Sequence, residues 1–205
     1  NSVKVINRPV GMGEVATAMD TKSLIIEITT TLFQQKGYKG VGLNEILKVC
    51  YVTKGSFYHH FPNGKEELLI ACLQLMEEAI TKDIEDIFNQ FQTTQEAIHA
   101  MIEKLVDDFE REGTITGYTF SSMVSEMASL SESVRNACSS LYTKIQEIYS
   151  NKLVKDGFSK DMAYSIALMM TACIEGGMML CITQNASAPL KTISDVLPYL
   201  LKENE

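Results

Sequence analysis

Apolar residues return every three or four positions along almost the whole chain, and nowhere do they alternate over a stretch long enough for a strand. Leu24, Ile25, Ile28, Leu32 and Phe33 fall on one stripe and predict a helix over residues 21–36, capped by Asp20 or Thr21. Gly37 occupies the stop position, and Tyr38, Lys39 and Gly40 make a turn. Leu43, Ile46, Leu47 and Cys50 predict a short second helix over residues 43–50. Thr53 then caps a third, with Lys54, Gly55 and Ser56 in its first turn and Phe57 and Phe61 turned inward. Two short helices about three residues apart have the geometry of a helix-turn-helix.

The breakers Phe-Pro-Asn-Gly at 61–64 end that unit, and Lys65-Glu66-Glu67 opens a long helix whose acidic first turn suits its dipole. Leu68, Leu69, Cys72, Leu73, Met76, Ile80, Ile84, Ile87 and Phe88 continue it. A helix over 94–112 follows, then a loop over 111–117. Periodicity resumes with Phe120, Met123, Val124 and Met127, and again from Val134 to Leu153, where Gly157 stops it. Two closing helices cover 159–184 and 189–202, with Pro189 at a first helical position and Pro198 expected to kink or shorten the last one. The chain is therefore expected to be all-α. A flexible leader (1–19) precedes a three-helix head (20–64), which joins a helical ligand-binding and dimerisation domain (65–205), with about nine helices in total.

Residues 162–183 approach the length that spans a bilayer, but Glu175, Thr171, Ser165 and the Gly176-Gly177 pair interrupt them and no basic flank follows. A buried or interfacial helix of a cytoplasmic protein, with no membrane partner, is the better reading. Five cysteines without a Cys-x-x-Cys spacing suggest buried thiols rather than disulfides or zinc. No metal or cofactor is expected. Neither a nucleophile elbow nor a phosphate loop nor a His-Glu-x-x-His motif is present, and the adjacent His59 and His60 cannot ligate one ion from one helix face, so catalysis is not expected.

The net charge of -8 speaks against a polyanionic partner until it is resolved along the chain. Residues 20–67 carry six lysines against five carboxylates, whereas residues 68–205 carry ten basic and twenty acidic side chains. The acidity belongs to the body, and the head can approach a polyanion. The third helix offers Thr53, Lys54, Ser56, Tyr58 and His59 outward while Val52, Phe57 and Phe61 hold it down. Small polar groups in such a first turn reach base edges in a major groove; Lys54 and His59 meet phosphates, and Tyr58 donates its hydroxyl to one. Lys65, opening the next helix, is a further phosphate site. Double-stranded DNA is the partner these residues call for, against the plainer alternative of a solvated turn over core aromatics.

The head, from Thr21 to Leu69, resembles the DNA-binding head of the TetR/AcrR family of bacterial transcriptional regulators: LFQQKGY, LNEI, KGSFYHHF and KEEL stand in the family's order and spacing. The extra residue in FPNGKEEL, with GYTFSSMVSEMASLSESVRNAC and ACIEGGMMLCITQNASAPL, is similar to its LmrA/YxaF-like branch. The resemblance implies a homodimer reading a two-fold operator, with a body whose ligand releases DNA. By position it places Thr53, Lys54, Gly55, Ser56, Tyr58 and His59 in the reading helix and Gly42, Leu43 and Lys65 at flanking phosphate contacts. It also implies drug-like or plant-derived aromatic effectors and control of an efflux or detoxification gene. Two residues depart from the pattern. Tyr51 stands where the family usually has Gly, which predicts strain if that residue has positive φ. Gly42 replaces the usual Ser or Thr cap and removes a hydroxyl.

In the body, Met101, Leu105, Phe120, Met123, Met127, Tyr142 and Met170 are candidates to line a site for a small apolar or aromatic effector, with Glu126 to orient it. The alternatives are ordinary core for the methionines and a paired or solvated carboxylate for Glu126. Ala172, Ile174, Gly176, Gly177, Leu180 and Leu197 suit a four-helix dimer seam, or close packing inside one subunit. Two other functions remain open: a thiol-responsive regulator of the same fold, with Cys50 as sensor, and a helical small-molecule carrier that binds no DNA.

Overall fold

A computed structural model describes residues 20–113 and 131–201, and among these every regular element is a helix. There are eight: α1 (Thr21–Gly40), α2 (Leu43–Val49), α3 (Lys54–His60), α4 (Lys65–Phe88), α5 (Thr94–Glu112), α6 (Glu132–Lys155), α7 (Lys160–Gln184) and α8 (Ala188–Leu200). The expected helix through Phe120, Met123 and Met127 lies outside the described residues, as does Glu126.

The ends are set by local chemistry. Asp20, Thr53, Ser131 and Ser159 each accept a backbone N–H from three residues on, and Thr93 with Glu96 forms a reciprocal capping box. Gly37, at φ 71°, interrupts α1 where the sequence predicts its stop. Gly157, at φ 106°, follows α6 and lets the Phe158 N–H return to the Leu153 carbonyl. Pro198 sits in the last turn of α8, and the helix ends two residues later.

α4 runs the length of the packing: it lies against α1 at its start and against α5 and α6 further on. α6 packs on α7, and α7 on α8, which also rests on α5. One continuous apolar cluster runs from Ile25, Phe33, Phe57 and Phe61 through Leu68, Leu69 and Leu73 to Ile98, Ile102, Tyr149 and Leu190. Polar ties fix the corners. The Thr94 N–H donates to Asp156 Oδ2 at 2.6 Å, Lys152 Nζ to the Phe91 carbonyl at 2.6 Å, and Ser131 Oγ to Glu66 Oε1 at 2.6 Å. Glu77, buried on α4, pairs with Lys144 of α6.

α7 is long and apolar enough to cross a membrane by composition alone. Here Ala163, Ile166, Ala167, Met170, Ile174, Met178 and Cys181 are buried against neighbouring helices.

Candidate nucleic-acid interface and effector cavity

Phe57 and Phe61, fully buried with rings 5.5 Å apart, hold α3 against the head, so its remaining residues face outward by default. Thr53, Lys54, Gly55, Tyr58 and His59 are exposed, and Ser56 is half-buried. The Thr53 hydroxyl oxygen accepts the Ser56 N–H at 3.2 Å, which leaves its own O–H to donate elsewhere. Tyr58, 41 % exposed, stands edge-on to Phe57, and Lys54 Nζ lies 6.0 Å from its ring centroid. Gly42 caps α2 with open space around it, and Leu43 is half-buried beside it.

Lys65, which the sequence reading puts at a phosphate contact, also reaches back into the head. Its Nζ donates to the Tyr38 carbonyl at 2.5 Å and lies 3.8 Å above the Tyr38 ring, bracing the end of α1 against the start of α4. Pairing likewise engages Lys36 with Glu45. Two exposed residues that sequence reasoning did not assign to the interface stand beside α3: Lys48, in the last turn of α2, and Tyr51. Tyr51 has φ 54° and closes α2 in a Schellman arrangement, with the Val52 N–H on the Leu47 carbonyl and its own N–H on Lys48. The strain conditionally expected at this turn is present.

In the body a cavity of about 270 Å³ opens between α4, α5, α6 and α7. Ile80, Ile84, Met101, Leu105, Leu141, Ile145, Ile174 and Met178 supply apolar wall, and Tyr149 an aromatic one. Asp83, Lys104, Asp108 and Glu175 supply charge. Met101 and Leu105, two of the candidates named from the sequence, line this cavity. Tyr142 and Met170 do not: both pack in the core away from the cavity, Met170 completely buried. Ile174 lines the cavity rather than an outer seam. Periodicity could have found Leu141 and Ile145, but nothing local marks which of several apolar stripes faces a void.

The other seam candidates divide. Gly177 and Leu197 are buried inside the subunit; a Cβ on Gly177 would meet Ile193 Cδ1 at 2.5 Å, so this glycine serves the α7–α8 approach. Ala172, Gly176 and Leu180 are exposed, and with Tyr164 and Leu168 they form a stripe at four-residue spacing on α7. Met179, Val196 and Tyr199 add exposed apolar surface on α7 and α8.

Burial pushes the thiols of Cys50, Cys138 and Cys181 up and that of Cys72 up to about 12. Cys50 is buried, so its thiolate is less readily formed than that of an exposed cysteine.

Comparison with known proteins follows the same division of the chain. A family described as "Bacterial regulatory proteins, tetR family" matches residues 25–72. One described as "Transcriptional regulator LmrA/YxaF-like, C-terminal domain" matches residues 94–196. The HTH-type transcriptional regulator LmrA of Bacillus subtilis is 37% identical over 89% of this chain and 97% of its own, and the HTH-type regulator YxaF of the same organism is 32% identical over 90% and 96%. The crystal structure of the reduced form of Escherichia coli NemR superposes with a TM-score of 0.80 at 24% identity, over 91% of this chain and all of that one. A TetR regulator from Legionella pneumophila gives 0.73 at 22%, with the same coverage. At these identities the two structures speak for the fold.

Proposed function

Because the chain belongs to the tetR family of bacterial transcriptional regulators and carries an LmrA/YxaF-like C-terminal domain, we propose that it is a cytoplasmic repressor. In this reading it binds a two-fold operator as a homodimer and is released when a small effector enters the body.

The observation that carries the reading is α3 itself: seven residues clamped by two buried phenylalanines and exposing a hydroxyl, a cation, a phenol and an imidazole side by side. Thr53 and Ser56 are small enough to approach base edges, and Gly55 lets the backbone come close. Lys54, Tyr58 and Lys48 supply phosphate contacts that fix register.

A dimer brings two such helices to successive major grooves, roughly 34 to 36 Å apart. The exposed α7 stripe with Val196 and Tyr199 is the surface proposed to make it, since a row of Tyr, Leu, Ala, Gly and Leu is costly to leave in water and narrow enough for close helix approach.

Coupling runs along α4. Ala79, Ile80, Asp83 and Ile84 touch the cavity, and about 20–28 Å away, at 1.5 Å per residue, Lys65 grips Tyr38 and Glu66 accepts from Ser131. A ligand that favours a shifted α4 changes the spacing of the two heads and thereby disfavours the operator.

In gel-shift titrations, Lys54→Ala and Tyr58→Ala are expected to weaken binding by about 1–3 kcal/mol each, and Lys54→Ala to reduce the salt dependence by about one unit of slope. Unchanged affinity in both variants would remove α3 as the reader.

A further inference from the structure

The turn between α2 and α3 spends its backbone donors on itself. The N–H groups of Cys50, Tyr51 and Val52 go to the carbonyls of Ile46, Lys48 and Leu47 at 2.9, 3.4 and 3.1 Å. The Cys50 thiol is buried, so the Tyr51 hydroxyl is the one exposed donor that these three residues offer.

Tyrosine is also ill-suited to the backbone it occupies. At φ 54° a bulky side chain is an outlier, whereas glycine adopts that conformation with no Cβ to crowd. Among the described residues the other non-glycine with positive φ is Asn185, which ends α7 and is of the type that tolerates it. Strain of this kind persists where something compensates it, and it clusters at sites of contact. Inside the subunit nothing compensates: the Tyr51 side chain is 94% exposed and holds nothing down. The compensation then lies outside. Tyr51 stands two residues before Thr53, the cap of α3, with Lys48 exposed in the last turn of α2 and Lys54 exposed in the first turn of α3. A neutral phenol between two cations, on a head whose charge is otherwise near balance, suits a strand of phosphates. The second subunit is assigned to α7 and α8, which leaves nucleic acid as the partner for this turn.

We propose that Tyr51 is a positioning residue for DNA, its hydroxyl donating to a phosphodiester oxygen at the edge of the groove that α3 enters and so fixing the register of that helix. The proposal rests on the reading of α3 as the operator-binding helix. A phosphate, not a base, is the acceptor because a lone hydroxyl lacks the paired donor and acceptor that tell one base edge from another, while one donor is enough for a phosphate oxygen. The contact therefore adds affinity on any sequence.

The test titrates the full chain, by fluorescence anisotropy, onto a duplex carrying the inverted repeat upstream of the gene and onto a scrambled duplex of equal length. Tyr51→Phe keeps the backbone and the ring and removes the hydroxyl alone. It is expected to weaken binding to both duplexes by about three- to thirtyfold, as the loss of one hydrogen bond to a charged group does, and to change their ratio by less than about twofold. Because the phenol is neutral, the salt dependence stays that of the wild type, whereas Lys54→Ala lowers its slope by about one unit. Tyr51→Gly is expected to lose affinity likewise while unfolding in urea no more easily than the wild type. Replacing one phosphate at a time by a neutral methylphosphonate then locates the contact: a position that costs the wild type affinity costs Tyr51→Phe little more. Wild-type affinity in Tyr51→Phe, a loss confined to the operator duplex, or the same methylphosphonate profile in variant and wild type would overturn the proposal. Lys54→Ala and Tyr58→Ala in the same titration separate it from the parent reading. If they weaken binding and Tyr51→Phe does not, α3 remains the reader and this contact is rejected; if none of the three weakens it, both readings fall.

Discussion

Tyr51 holds φ 54° with a side chain 94% exposed, so nothing packed against it repays a backbone conformation that costs a residue with a Cβ about 1–2 kcal/mol. Glycine would remove that strain and return roughly 0.5–1 kcal/mol of it as added freedom of the unfolded chain. Tyr51→Gly is therefore expected to leave stability unchanged or raise it by up to about 1 kcal/mol in urea unfolding. Tyr51→Ala, which keeps the strain, is expected to change it by less than about 0.5 kcal/mol. A large loss in Tyr51→Gly would mean that the phenol makes a contact which its exposure denies. Gly55 makes the complementary case. It is helical, and the nearest atom to an added Cβ is Thr53 Oγ1 at 3.9 Å, so Gly55→Ala should stabilise α3 by about 0.5–1 kcal/mol. If α3 lies in the groove, the same methyl lowers operator affinity. Stability and binding then move in opposite directions, which a merely structural glycine would not do.

At the scale of elements, α7 presents apolar residues on both sides, and adjacent glycines separate them. Gly177 faces α8 with Ile193 and Leu190 inside contact distance, whereas nothing lies within 4 Å of a Cβ on Gly176. Gly177→Ala is expected to cost about 1–3 kcal/mol by overpacking. Gly176→Ala should gain helix stability within the subunit yet weaken self-association, measured by sedimentation at varied concentration. Equal effects of the two substitutions would refute this division.

The same helix shows where sequence reasoning stops. Caps at Asp20 and Thr53 and stops at Gly37 and Gly157 are decided by neighbours in the chain, and they stand where the sequence puts them. The inward faces of α3 and α4 follow from one-sided periodicity. In α7 periodicity has no single face to report, and only packing against α6 and α8 assigns Ile174 to the cavity, Gly177 to the core and Gly176 to the surface. Lys65 shows the same limit: the carbonyl its ammonium reaches, 27 residues back at Tyr38, is in view only once the chain is folded.

In the whole molecule the acidic body and the near-neutral head are joined by a helix that touches both, and polar ties at its ends make its position sensitive to what happens around it. Other polar ties, away from that helix, titrate. Hydrogen bonds from the Ser23 backbone hold Asp20 below its ordinary 3.8, and Lys191 with Ser187 holds Glu110 below 4.5, linking α5 to α8. A carboxyl with a lowered folded value contributes stability that is complete above its unfolded value and lost as pH falls through the folded one. Melting temperature is thus expected to fall on acidification below about pH 4.5, and Glu110→Gln to remove part of that slope; an unchanged slope would mean that the pair is solvated and idle.

The central claim is that two copies of α3 read one operator together. Fluorescence anisotropy with a labelled duplex carrying the inverted repeat upstream of the gene, titrated with the wild type and with a Lys54→Ala/Tyr58→Ala double variant at two salt concentrations, tests it directly. The account predicts two subunits per duplex, binding that collapses as salt rises, and almost none by the variant. Saturation at one subunit, or a variant that binds as the wild type does, would contradict it.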